Sequence, residues 1–151
     1  MSIEIISIAL LLVSSVSHAG IINSITVFHT NTLTVIQDIP LKANQHIEVF
    51  NMDTKNNATL RLNKLIRQRL PSQNATNDYA IAYSKAFDEV LNSENWASVY
   101  DGLEKGSKAI EFAIRYKVKK TPAIVFNHSS IIYGVTSLKE AIQIYKQKGD
   151  I

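Results

Sequence analysis

The sequence predicts an α/β fold: a four-stranded mixed sheet built from two N-terminal strands and a C-terminal ββα unit, with helices on both faces and a helical insertion. Three observations predict it. Pro122-Ala123-Ile124-Val125-Phe126 and Ile131-Ile132-Tyr133-Gly134-Val135 read as two apolar strands, the first opened by a proline, joined by a short polar turn. Ile25-Thr26-Val27-Phe28 and Ile47-Glu48-Val49-Phe50 are two further strand-like runs near the N-terminus. Between these pairs, residues 53–116 repeat their apolar positions every three or four residues, the helical period. At 151 residues the chain suffices for one domain with a true core and is too short for two ordinary ones.

Each element follows from local chemistry. Residues 31–44 are polar and loop-like around Pro40, with Leu33, Val35 and Ile36 able to supply a short apolar turn. After the second strand, Asp53 or Thr54 is positioned to cap a helix whose apolar stripe is Leu62, Leu65, Ile66 and Leu70, and Pro71 stops it. Tyr79, Ala82, Tyr83, Ala86, Phe87 and Val90 define a second helix. Ser93-Glu94-Asn95 restarts a helical segment with Trp96, Val99 and Tyr100, and residues 103–116 carry two apolar stripes, as a helix buried on more than one side would. Gly102 and Gly106 share a G-x-x-x-G spacing, which carries little weight beside the charged Glu104 and Lys105. At the end of the chain, Ser137-Leu138-Lys139-Glu140 is a capping box. Leu138, Ala141, Ile142 and Tyr145 form the buried face of that last helix, and Lys146 and Lys148 oppose its C-terminal dipole. Phe28, Phe50, Ile124, Phe126 and Ile142 are the expected core.

Composition narrows the function. The chain is 46% hydrophobic and 19% charged, a globular balance, and its net charge of +3 is spread without a long run of one sign. Direct nucleic-acid binding is therefore not indicated. There is no cysteine, which excludes disulfides, thiolate catalysis and thiolate metal sites. Residues 1–19 read as a cleavable signal peptide. Residues 3–16 are mostly apolar and Ser17-His18-Ala19 offers small residues where a signal peptidase reads, although the n-region has only Glu4 and no cation. Residues 20–151 then form the mature domain, expected in the periplasm and at most peripheral to a membrane.

From Ile25 to about Ile142 the chain resembles a family of small exported proteins of integrating conjugative elements. The matching residues are Val27-Phe28, Asp53, Leu70-Pro71, Trp96 with Tyr100-Asp101-Gly102, the helix through Ala109 and Ala113, Pro122-Ala123-Ile124-Val125-Phe126 and Tyr133-Gly134-Val135. The resemblance implies a thioredoxin-like fold without cysteines. Strand three then runs antiparallel to the other strands, and Pro122 takes the place of that fold's cis-proline. It also implies a role in conjugative type IV secretion, with other envelope proteins of the transfer apparatus as partners. Asn127 and Thr121 depart from the pattern, where an acidic residue and a larger aliphatic are expected.

The candidate sites are few. Where a thioredoxin carries its reactive thiols, this chain has His29, Thr30 and Asn31, none of which accepts electrons through a disulfide. With Thr121 and Pro122 they would line a groove able to take an extended peptide, and His29 could be a pH-sensitive contact. Arg115, Lys117, Lys119 and Lys120 form the densest basic cluster, either a docking patch for an acidic partner or a solvated helix end. His18, His29, His46 and His128 lack metal-ligand spacing, and no phosphate-binding loop or nucleophile elbow is present. No cofactor, metal or catalytic residue is expected. The leading expectation is a non-catalytic adaptor. The alternatives are a transferase-type envelope enzyme relying on Thr30 or Tyr133, or a secreted binding protein unrelated to conjugation.

Overall fold

A computed structural model describes residues 21–40, 45–71 and 78–149. The expected signal peptide lies outside the described residues. The order is β1 (Ser24–His29), β2 (His46–Asn51), α1 (Thr54–Arg67), α2 (Tyr79–Leu91), α3 (Asn95–Arg115), β3 (Ala123–Phe126), β4 (Ser130–Tyr133) and α4 (Leu138–Gly149). The sheet runs β2-β1-β3-β4. β1 and β2 are parallel, and β3 is antiparallel to both β1 and β4. This strand order and polarity, with α3 and α4 on opposite faces and a cis Thr121–Pro122 peptide before β3, is the thioredoxin-like layout the sequence predicts.

Strand alternation splits the core in two. Ile25, Val27, Ile124, Phe126 and Ile132 point to one face and pack with Leu138 and Ala141 of α4. Phe28, Ala123 and Val125 point to the other and meet Ala113, Phe112 and Tyr116 of α3. A third cluster, Ile66, Ala86 and Val90, joins α1 to α2 away from the sheet and forms the helical insertion. β1 and β3 are central and buried, β3 as an unbroken apolar run and β1 with Thr26 buried among its apolar residues. Of the expected core, Phe28, Ile124 and Phe126 are fully buried. Phe50 and Ile142 are only half-buried, because β2 is an edge strand and Ile142 sits at the margin of α4's packed face.

Five local expectations need correction. The two segments expected between residues 93 and 116 are one 21-residue helix, α3, running through Gly102 without a break. The glycine spacing in it has a purpose. A β-carbon on Gly102 would sit 2.8 Å from Cβ of Ala58, and one on Gly106 would lie 2.6 Å from Cα of Lys55. Val99, Gly102, Gly106, Ala109 and Ala113 thus form a stripe of mostly small residues along α3, and α1 crosses against its two glycines at backbone distance. The charges at 104 and 105 simply face elsewhere. α1 itself ends at Arg67, before Pro71 is reached.

The helix starts differ as well. Asp53 precedes α1 but makes no side-chain cap; its carboxylate accepts instead from the Asn31 N–H at 2.9 Å. At α4, half of the capping box forms: Ser137 Oγ accepts from the Glu140 N–H. The other ligand of that helix start is Asp38 from the β1–β2 crossover, accepting from Ser137 Oγ–H at 2.6 Å and from the Lys139 N–H at 2.9 Å. These two bonds hold the Asp38 carboxyl below its ordinary value, the serine bond contributing most. Ile36 pairs with the same turn, its N–H to the Thr136 carbonyl and its carbonyl to the Leu138 N–H. The crossover, which contains no helix among its described residues, is thereby pinned to the α4 face.

Candidate functional site

The groove residues converge at one end of the sheet. The β1–β3 register pairs Phe28 with Ala123. Continued past the ladder, it sets His29 across from Pro122 and Thr30 across from Thr121. Pro122 is buried, and its carbonyl accepts from the Gly134 N–H at 3.0 Å. Thr121 is half-exposed, and neither its N–H nor its carbonyl is paired among the described residues. A free donor and acceptor on one residue, beside a buried proline, are the groups by which a peptide strand is held.

The other half of the groove is tied down. Asn31 donates its N–H to Asp53 Oδ2, Asn51 Nδ2–H donates to Asn31 Oδ1 at 2.6 Å, and the Asp53 N–H donates to Asn51 Oδ1 at 2.9 Å. That ring fixes the loop to the start of α1. Thr30 Oγ accepts from the Leu33 N–H at 3.1 Å and lies 3.3 Å from Thr32 Oγ. Its hydroxyl serves the loop, and among the described residues it makes no hydrogen bond to a His, Asp or Glu side chain that could activate it. His29 Nδ1–H donates to the Thr30 carbonyl at 3.0 Å. Tyr133 Oη accepts from the Lys119 N–H at 3.2 Å, so the second hydroxyl candidate is occupied too. Among the described residues no three His, Asp or Glu side chains gather as a metal ion would need.

The basic cluster is partly spent on its own helix end. Arg115 pairs with Glu111 at 2.6 Å and lies over the Phe112 ring, and Lys120 lies over the Tyr133 ring. Lys117 adopts φ 57°, donating its N–H to Ile114, while the Val118 N–H reaches back to Ala113. This is a Schellman closure with lysine where glycine is usual. Lys117, Lys119 and Lys120 remain exposed.

Sequence reasoning marked Asn127 only as a departure from the family pattern and missed its structural role. It stands with His128 at the two positive-φ positions of the β3–β4 turn, φ 49° and 61°. Its Oδ1 accepts from the Asn23 and Ser24 N–H groups, and its Nδ2–H donates to the Ile21 carbonyl and to Tyr145 Oη. One side chain thus joins the entry to β1, the hairpin and α4. An acidic residue could accept but could not donate to Ile21, which gives the departure at 127 a structural meaning. His128 closes the same corner, Nδ1 to Tyr116 Oη at 2.8 Å and Nε2 to Ser24 Oγ at 3.2 Å.

No curated protein and no solved structure matches the sequence. A family model described as a protein of unknown function, DUF1525, matches residues 29–148, from the end of β1 through α4. The chain belongs to the DUF1525 family.

Proposed function

We propose that this protein is a non-catalytic, thioredoxin-shaped component of a conjugative DNA-transfer apparatus of the type IV secretion kind, exported to the periplasm, where it binds other envelope proteins. The observation that carries the binding reading is the free backbone of Thr121 beside Pro122. Its N–H and carbonyl both lack a hydrogen-bonded partner among the described residues, and a partner strand can use both. The hydroxyls of Thr30 and Tyr133 are already engaged, and the chain has no thiol, so bond-making chemistry finds no equipped residue there. The conjugative role rests on the resemblance of the Pro122–Phe126 and Tyr133–Val135 blocks, and the periplasmic location on the signal-like residues 1–19.

The test is a mating assay. Deleting the gene in the donor lowers transfer, wild-type protein in trans restores it, and Thr30→Ala restores it equally. Transfer that is indifferent to deletion overturns the conjugative role. A folded Thr30→Ala variant as defective as the deletion overturns the non-catalytic reading.

A further inference from the structure

We infer that the outer face of α1 docks an acidic segment of a partner protein. Residues 54–69 hold Lys55, Arg61, Lys64, Arg67 and Arg69 and no carboxylate. This segment therefore carries +5 in a chain of net +3, a second basic surface besides the cations of residues 115–120. Arg61 is used locally, donating to Ser98 Oγ and Asn95 Oδ1, and Arg69 donates to the Leu65 carbonyl. Lys64 and Arg67 are exposed and have no ion pair or hydrogen-bonded partner for their side chains among the described residues. Together with Leu60, Asn63 and Gln68 they line a cavity of about 350 Å³.

The composition of this face selects the partner. Leu60 is 58% exposed at its centre, an apolar anchor point rimmed by two cations and two amides. A nucleic-acid strand would call for aromatic stacking surfaces, and this face has none. A membrane would call for a broad apolar stripe, and there is a single leucine. An acidic amphipathic helix fits, with one apolar side chain in the cavity and carboxylates against Lys64 and Arg67. Part of this charge also complements the α1 C-terminal dipole, but a dipole requires no exposed leucine. The inference deepens the binding reading and concerns a different surface from the Thr121 groove, so either surface can fail without the other.

The experiment is fluorescence anisotropy with the purified full chain. Four probes are compared: a labelled amphipathic peptide of Glu and Leu, its Gln-for-Glu analogue, a single-stranded oligonucleotide, and vesicles of phosphatidylglycerol and phosphatidylethanolamine. The Glu peptide binds, added salt weakens it, and Lys64→Glu with Arg67→Glu lowers affinity by roughly tenfold or more. Lys64→Gln with Arg67→Gln gives a smaller loss in the same direction and guards against misfolding of the reversed variant. Replacing Lys117, Lys119 and Lys120 by Ser leaves affinity within about twofold, because those cations lie off the face. No peptide binding, equal binding of the Gln analogue, unchanged affinity in both α1 variants, or preference for the oligonucleotide or vesicles overturns the inference.

Discussion

Gly106→Ala should destabilise the protein, although the same exchange in an open helix stabilises it. The new methyl would lie 2.6 Å from Cα of Lys55, whereas carbon atoms rest at about 3.5–4.0 Å. The overlap is on the order of 1 Å against backbone, which cannot rotate away, so α1 must lift from α3 along their crossing. Overpacking costs about 1–3 kcal/mol in general, and an obstruction made of backbone belongs at the upper end. Helix propensity returns about 1 kcal/mol. The net loss is about 2 kcal/mol, a fall of roughly 4–8 °C in Tm for a domain of this size. Gly102→Ala meets only the Ala58 methyl, at 2.8 Å, and should cost less. Combining it with Ala58→Gly should recover part of the loss beyond additivity. Thermal and urea unfolding followed by far-ultraviolet circular dichroism measures all of these. A Gly106→Ala midpoint equal to or above wild type would refute the close crossing of α1 and α3.

Three further outcomes follow from particular contacts. Lys117→Gly relieves the left-handed φ of 57° at the α3 terminus and should raise stability by about 0.5–1 kcal/mol, read from the urea midpoint. Asn127→Ala removes the links to Ile21, Asn23, Ser24 and Tyr145 and should cost about 2–3 kcal/mol, with faster amide exchange at residues 21–24. The Asp38 carboxyl is held low in the folded protein by Ser137 and Lys139. Its stabilisation is therefore present above the unfolded carboxylate range, about pH 4, and is lost as pH falls through the lower folded value. Asp38→Asn should lower the midpoint at neutral pH, and the gap should close in acid; a gap that persists unchanged in acid would remove Asp38 from the α4 start.

What could be read from the sequence was what neighbours in the chain decide. Pro122 ahead of four apolar residues, the Asn127–Ser130 turn and the Leu138, Ala141 spacing each encode their own element, and together they set out the ββα end and its buried face. The cis peptide at Pro122 came from the family resemblance and agrees with the structure. What could not be read depends on residues far apart. The two glycines of α3 acquire meaning only when α1 brings Ala58 and Lys55 against them. Ser137 has a capping partner three residues away in sequence, yet Asp38 shares the task from the other end of the chain. Phe50 looks like core by its side chain, but strand order puts it on an edge. At the groove, residue types alone ruled out thiol chemistry. That Thr30 is engaged by its own loop while the Thr121 backbone is open needed three dimensions.

The measurement that bears most directly on a binding role is site-specific photo-crosslinking in mating donor cells, with a photoreactive side chain at Thr121 and, as controls, at Lys139 and Lys148. The groove reading predicts an adduct at 121 with an envelope protein encoded by the same conjugative element. That adduct should be absent at 139 and 148 and lost when the partner gene is deleted. A functional protein that yields no adduct at 121, or the same adducts at all three positions, would contradict it.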